Sequence, residues 1–286
     1  MRDFIYHAPT TIDEALALLE EYGEDARPIA GGTAMVNLMK QNMVLADHLV
    51  GLGKLPGLRG VSQTNGSLHI GALTRHREVE LSPEVKAHSP LLAEAYSKVA
   101  TVRVRNMATA GGGLTHADPA QDPPPSLIVL DAHVVLTSSK GTRGLPVNDL
   151  FVDYYESALE PGELLTELVV PQSPKGAKTV YLKFLPRTED DYATVSVAAL
   201  ATVENGVCQD IRVALGAVAP TPIRATAVEE ALRGQQVTPD AVRAAAETVA
   251  DQVDPLTDFR GSDDYKRDMA VVFTRRALEQ VFGLAS

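Results

Sequence analysis

Two glycine-rich segments hold the residues of this 286-residue chain that are best suited to grip a ligand. The first is a short apolar run that breaks at Gly31 and Gly32 and continues as a helical pattern. Glycine lets the main chain approach a ligand and adopt a positive φ. We expect Thr33 to cap the helix that follows, whose free N–H groups would suit a phosphate. A plain strand-to-helix turn remains the alternative, because neither the dinucleotide fingerprint nor a P-loop is complete.

The second segment, residues 109–125, contains three consecutive glycines, Gly111 to Gly113. Bare backbone lets a bulky ligand lie directly on main-chain amides. Asp118, Asp122 and three prolines follow, so we expect a long connection without helix or strand, which in a compact domain is usually functional. By residue type alone, both aspartates are turn residues that bond their own backbone. Two such loops predict an extended ligand held at two points, such as a diphosphate-containing dinucleotide. Two unrelated tight turns are the alternative.

The elements that would position these loops form an α+β pattern. A capping box, Thr11 with Glu14, begins the first helix, and an Asn205-Gly206 hairpin signal lies between two late strands. In chain order the sequence predicts a helix over 11–22, strands over 26–30, 47–52 and 67–73, a helix over 90–101, strands over 134–138 and 164–170, a Pro/Gly/Lys-rich boundary at 171–178, strands over 194–203 and 207–218, and helices over 223–232, 239–253 and 263–282.

Composition excludes several classes of function. The formal net charge of −11 argues against non-specific binding of nucleic acid, which depends on Lys and Arg. No apolar run is long enough for a membrane span, and the N-terminus lacks an apolar signal core, so we expect a cytoplasmic protein. The single cysteine, Cys208, cannot hold an iron–sulfur cluster, so any electron transfer would need an organic cofactor. The histidine spacings predict no metal site, and we find no catalytic constellation.

Together the two loops resemble a known family. Ala30-Gly31-Gly32-Thr33-Ala34, followed by Thr109-Ala-Gly-Gly-Gly-Leu-Thr-His-Ala-Asp-Pro-Ala-Gln-Asp122, is similar to the FAD-binding medium subunit of molybdenum hydroxylases, the relatives of carbon monoxide dehydrogenase and xanthine dehydrogenase. Sequence similar to that of the family also occurs at Phe4-Xaa-Tyr6-Xaa-Ala8-Pro9, at 160–165 and at 183–193, so the resemblance covers the whole chain.

The resemblance implies a two-part FAD-binding domain of the PCMH/vanillyl-alcohol-oxidase type, followed by a small C-terminal antiparallel sheet with helices. It divides the chain into 1–57 with the first loop, 58–175 with the second, and a C-terminal α+β domain, 176–286. The implied cofactor-binding residues are Ile29, Ala30, Gly31, Gly32, Thr33, Ala34, Thr109, Gly111, Gly112, Gly113, Asp122, Leu165, Lys183 and Tyr192.

Several of these roles rest on the resemblance alone. Asp122 would make a polar contact with the cofactor, Leu165 and Lys183 would approach the flavin, and Tyr192 would lie over or beside its rings. A lysine near the pyrimidine end would favour the reduced flavin. For His116, packing near the flavin and capping of loop carbonyls stay equally open. Arg103, Arg105 and Arg187 could also face a phosphate, although exposed arginines are common.

The implied function is that of the FAD-carrying subunit of a three-subunit molybdenum hydroxylase. A large molybdopterin subunit would hydroxylate the substrate, and a small subunit with two [2Fe–2S] clusters would deliver electrons to this FAD and then to an external acceptor. A dimer of heterotrimers is the implied assembly. Two alternatives stay open: a stand-alone FAD oxidoreductase of the same superfamily, and an assembly domain that has lost its flavin.

Overall fold

The computed structural model describes residues 2–185, 188 and 190–284, so the predicted phosphate-facing Arg187 lies outside the described residues. Its N-terminal part contains β1 (Ile5–His7), α1 (Ile12–Tyr22), β2 (Ala26–Ile29), α2 (Met35–Lys40) and β3 (His48–Gly51). The three strands form a parallel sheet in the order β1–β3–β2. As predicted, Thr11 and Glu14 form a capping box at the start of α1. Its apolar face, which includes Leu16 and Leu19, is buried.

The central part is an antiparallel sheet with helices packed on it. Its elements are β4 (Val61–Thr64), β5 (Ser67–Gly71), α3 (His76–Leu81), α4 (Pro83–His88), α5 (Pro90–Ser97), α6 (Val102–Arg105), α7 (Ala110–His116), α8 (Pro123–Val129), β6 (His133–Ser138), β7 (Gly141–Pro146), β8 (Phe151–Asp153), β9 (Glu156–Ser157) and β10 (Leu164–Val170). The sheet order is β4–β5–β10–β6–β7, and β8 pairs with β9. Leu68, Leu136 and Leu168 lie in the centre of its core.

The C-terminal part is a second antiparallel sheet covered by helices. It contains β11 (Lys178–Phe184), β12 (Val195–Glu204), β13 (Val207–Gly216), β14 (Ile223–Arg224), α9 (Thr226–Leu232), α10 (Pro239–Glu247) and α11 (Asp263–Phe282). The sheet order is β11–β12–β13–β14. Short 3₁₀ helices occur at Gly23–Asp25, Leu52–Lys54, Val147–Asp149 and Thr248–Asp251.

Strand β12 joins the central and C-terminal cores. Ala198 and Leu200 belong to the central apolar cluster, whereas Val197 and Ala199 belong to the cluster under α9 to α11. Because successive side chains of a strand point to opposite faces, one strand serves both cores. This packing brings β11 and its polar side chains beside α8.

Some predicted elements were wrong. Segment 109–125 is not an irregular connection, because α7 and the start of α8 occupy it. Glycine is a poor helix former, but the Thr109 hydroxyl caps α7 by accepting from the Gly112 amide at 3.2 Å. Proline is tolerated in a first turn, where amides lack intrahelical partners, which allows α8 to begin at Pro123.

Several further boundaries differ from expectation, and the helix predicted over 90–101 ends at Ser97. Thr33 is not the N-cap of α2; that position is Ala34, and no side chain caps this helix. The helix predicted over 223–232 begins only at Thr226, because Ile223 pairs with Leu215 as a short strand. The helix predicted over 239–253 ends at Glu247 and continues as a 3₁₀ turn. The Asn205-Gly206 hairpin and the helix over 263–282 are confirmed.

Candidate functional site

The first glycine loop presents a row of unpaired backbone donors. In the described part of the chain, no acceptor lies within bonding distance of the amides from Gly31 to Met35, and the first amide of this helix to find one is that of Val36, which bonds the Gly32 carbonyl at 3.0 Å. Gly32 has φ +72°. Successive N–H groups in such a backbone form a concave anion-binding nest. Since these residues are only half-buried, the donors can reach a ligand.

The second glycine segment lies directly against the first. A Cβ on Gly31 would overlap the carbonyl oxygen of Met107, and a Cβ on Gly112 would lie 3.8 Å from Cβ of Ala30. The two glycine segments therefore meet in the fold. Glycine is required at position 31 because two backbones touch there.

The amides of the second segment are not available to a ligand, contrary to our expectation. The Ala110 and Gly111 amides donate to the carbonyls of Thr74 and Ala72, and that of Gly113 donates to Thr109, at 2.8–2.9 Å. A Cβ on Gly111 would come within 2.7 Å of the Ala72 Cβ. These glycines therefore dock α7 closely on β5 and leave its exposed side without side chains, while the first loop supplies the free donors.

His76, which sequence reasoning missed, contacts the second segment through a buried hydrogen bond. It is 5% exposed, and its Nε2 donates to the Thr109 carbonyl at 3.1 Å. Burial lowers the pKa of His76 to about 4, an effect that the nearby Arg105 reinforces, so the ring is neutral at physiological pH. No local motif marks His76, because its partner lies 33 residues away in sequence.

Asp122 and Lys183 form a buried ion pair. The Lys183 Nζ lies 3.0 Å from Asp122 Oδ2, with side-chain exposures of 3% and 5%. The Tyr181 hydroxyl donates to Asp122 Oδ1 at 2.7 Å, and Lys183 also donates to the Lys98 carbonyl at 2.9 Å. The third proton of the Lys183 ammonium finds no acceptor among the residues that the structure describes. Lys183 is therefore not the solvated strand residue that its sequence pattern alone would suggest.

The proline run explains why the Asp122 carboxylate is free to make this pair. Asp122 is the N-cap residue of α8, a position where a carboxylate normally accepts from the amides that follow. Pro123, Pro124 and Pro125 have no N–H, so the Asp122 carboxylate turns to Tyr181 and Lys183 instead. Next to it, Gln121 Oε1 would lie 3.3 Å from a Cβ on Gly113, so the pair adjoins α7.

The remaining predicted residues have different surroundings. Leu165 on β10 is buried in the central cluster with Ala110 and Leu114. Tyr192 is 50% exposed, and the Arg260 guanidinium lies 5.8 Å from its ring centroid. His116 packs beside Tyr155, with ring centroids 5.3 Å apart, and burial lowers its pKa. Tyr192 also interacts with Asp118 of the second glycine segment, and burial and the Asp118 charge raise the pKa of Tyr192.

Other predicted roles are resolved by the contacts. Asp118 accepts from the Ala120 amide at 2.9 Å, the turn bond expected from its residue type. Arg105 is engaged by the Glu80 carboxylate and by two backbone carbonyls. Cys208 is fully buried, and burial raises the pKa of its thiol to about 11, as expected for a packing residue.

The described residues offer neither a metal site nor a membrane-spanning helix. No group of three or more His, Cys, Asp or Glu side chains could hold a metal ion. No helix is long and apolar enough to cross a membrane.

A nest of free amides, a helix with a glycine face packed against it and a nearby buried ion pair are the features of a class of proteins that bind an extended, phosphate-containing cofactor. Two family descriptions match the chain: "FAD binding domain in molybdopterin dehydrogenase" over residues 2–173, and "CO dehydrogenase flavoprotein C-terminal domain" over residues 180–281. The chain belongs to this family of flavoprotein subunits. It is the FAD-binding subunit of a molybdenum-dependent dehydrogenase, an oxidoreductase.

Similar proteins cover nearly the whole chain. The carbon monoxide dehydrogenase medium chain of Hydrogenophaga pseudoflava is 38% identical, with 96% of each chain covered. The xanthine dehydrogenase FAD-binding subunit of Escherichia coli O157:H7 is 28% identical over 100% of this chain and 98% of that one. A solved structure of the Hydrogenophaga enzyme matches with a TM-score of 0.96 over 100% of this chain and 99% of its own. The predicted family, α+β fold and FAD cofactor are thereby confirmed.

Proposed function

We propose that this chain is the electron-transfer subunit of a heterotrimeric molybdenum hydroxylase. It would work in the cytoplasm with a large molybdopterin subunit and a small subunit that carries two [2Fe–2S] clusters, assembled as a dimer of heterotrimers. Bound FAD exchanges electrons singly or in pairs, which suits a subunit placed between one-electron centres and an external acceptor. The names of the relatives support this assignment, because several are medium chains or subunits of larger enzymes.

The residues proposed to hold FAD divide into three groups. The diphosphate would lie on the free amides from Gly31 to Met35, beside Ile29 and Ala30. Thr109 and the bare side of Gly112 and Gly113 would form the adjoining wall. Asp122, Leu165, Lys183 and Tyr192 would surround the flavin end, with the unsatisfied proton of Lys183 available to a ring carbonyl. We also propose that the chain divides into 1–57, 58–175 and 176–286.

The single observation that carries the proposed site is the row of amides that lack acceptors in the described part of the first loop. It is tested by titrating the purified chain with FAD, removing the excess and recording the visible absorption spectrum. We expect the bands of bound flavin in the wild type and their loss in Gly32→Ala, since φ +72° is strained for alanine.

Gly234→Ala is the matched control. Gly234 has φ +77° and open space around it, so alanine brings similar backbone strain in the C-terminal part, away from the loop. Retention of stoichiometric FAD by Gly32→Ala would contradict the proposed diphosphate site. A wild-type chain that stays colourless both alone and after co-expression with its partner subunits would contradict the function and favour an assembly domain. Turnover of a small substrate by the isolated chain would favour a stand-alone oxidoreductase.

A further inference from the structure

The charge of Lys183 depends on its partner. An isolated ammonium group beside a flavin would favour the reduced cofactor by attraction to the charge that reduction adds. Here the ammonium lies 3.0 Å from the Asp122 carboxylate, and both side chains are almost completely buried. While Asp122 is ionised, the pair has a net charge of zero, so most of the effect of the lysine on a neighbouring ring is cancelled.

Protonation of Asp122 would release that charge. Burial raises the pKa of Asp122 to about 6, although Lys183, the Tyr181 hydroxyl and Lys98 oppose the shift. The carboxyl is therefore poised to change its protonation state near neutral pH. Added negative charge on a neighbouring group raises the pKa of a carboxyl further.

The surroundings of the pair come from two elements. Strand β11 provides Tyr181 and Lys183, and the end of α5 provides Lys98, whose carbonyl accepts from Lys183. Burial and then Asp122 raise the pKa of Tyr181 most. The charge of Glu94 on α5, which is more distant, raises it further. Asp122 is thus the one carboxylate that directly contacts the ammonium among the described residues.

We propose that Asp122 and Lys183 form a proton-linked charge switch that sets the reduction potential of the bound FAD. In the ionised state the pair is neutral. When Asp122 takes up a proton from water, forming one O–H bond, the pair carries one positive charge and favours the reduced cofactor. The electrons come from the iron–sulfur centres of the partner subunit, so electron uptake by the subunit is coupled to proton uptake at Asp122. This inference rests on the proposed function, which sets the flavin ring beside Lys183.

The test is the reduction potential of bound FAD as a function of pH, measured in the assembled complex for the wild type and for Asp122→Asn. Asparagine has no charge at any pH, so it imitates protonated Asp122. We expect the two potentials to coincide well below about pH 6, where Asp122 is protonated. Above that pH the wild-type potential should fall progressively below that of the variant, until Asp122 is ionised in both redox states.

Tyr181→Phe provides a second, independent readout. It keeps both charges but removes the hydroxyl that donates to Asp122 at 2.7 Å. Loss of a hydrogen bond to the carboxylate raises its pKa, so the pH at which the potentials of this variant and Asp122→Asn separate should move upward. This readout also applies to the wild-type and Tyr181→Phe curves alone if Asp122→Asn fails to retain FAD.

The outcomes separate the two proposals. A gap between wild type and Asp122→Asn that is constant with pH, or a Tyr181→Phe curve identical to the wild type, would overturn the charge switch while leaving the FAD function in place. A wild-type complex without flavin would instead overturn the proposed function itself.

Discussion

His76 shows how a single buried side chain can hold a glycine-rich segment in place. Its ring donates to the same Thr109 carbonyl that accepts the Gly113 amide, while the Thr109 hydroxyl caps α7. Because burial depresses the pKa of His76, the ring stays neutral in the folded chain and keeps a fixed donor at Nε2. The second glycine segment is therefore held partly by a hydrogen bond from a residue outside it.

The stability of the chain should depend on pH through His76. The pKa of His76 is about 4 in the folded state and 6.5 without burial. Between these values the unfolded chain binds more protons, so stability is lost as the pH falls from about 6.5 to about 4. The full shift corresponds to about 3 kcal/mol. Urea unfolding of the wild type over this range should show that loss.

His76→Gln is the reference for this measurement. Glutamine can still donate to the Thr109 carbonyl but does not titrate, so the difference between the two curves isolates the histidine from Asp122, whose raised pKa acts in the opposite direction. Parallel pH dependences of the wild type and the variant would show that His76 is not buried as a neutral ring.

The sequence alone indicates those residues of the candidate site whose role depends on local backbone chemistry. Gly31 and Gly32 are identified by residue type, because no other residue allows the backbone contact with Met107 or a relaxed φ of +72°. Tyr181 and His76 were missed, because their partners are 59 and 33 residues distant. A tyrosine two positions before Lys183, on the same strand face, was the available signal for Tyr181.

At the scale of elements, local signals predicted the C-terminal part better than the glycine segments. An N-cap residue and a helical spacing of apolar residues predict the helix Asp263–Phe282. The Asn205-Gly206 turn predicts the hairpin of β12 and β13. Helix α7 could not be predicted in this way, since glycine disfavours helix, and packing against Ala72 and the Thr109 cap help to stabilise it. Tertiary contacts, rather than the helix propensity of its residues, determine that α7 forms.

The hairpin turn gives a prediction at this scale. Asn205 and Gly206 have φ +52° and +79°, the two positive values of a type I′ turn. Gly206→Ala should lower the free energy of unfolding by about 1–2 kcal/mol, the cost of a left-handed conformation for a residue with a Cβ. The nearest atom is Gln236 Oε1 at 3.0 Å from the added Cβ. It ends a flexible side chain, so steric overlap should add little.

Asn205→Gly is the matched control for the turn, since glycine adopts positive φ without strain. Urea unfolding should give this variant a stability close to that of the wild type. An equal loss in both variants would mean that side-chain contacts at the turn, rather than backbone strain, determine its stability.

At the scale of the whole molecule, the proposed site draws on all three parts of the chain. Ile29 and Ala30 pack with the N-terminal clusters, Ala110 and Leu114 belong to the central cluster, and Lys183 lies on the C-terminal sheet. A ligand that contacts each part binds only the folded arrangement. FAD should therefore stabilise the chain by about 2.7 kcal/mol at a hundredfold excess over its Kd, a rise in melting temperature of roughly 5 °C.

The distribution of that stabilisation tests the proposed site as a whole. Amide hydrogen exchange reports local opening, so FAD should slow exchange around 30–35, in α7 and in β11 together. Gly32→Ala should lose the effect in all three segments, and Gly234→Ala should keep it. Protection confined to the first loop would mean that the flavin end does not reach Lys183, because a contact at the far end of the ligand must also restrain the strand that provides it.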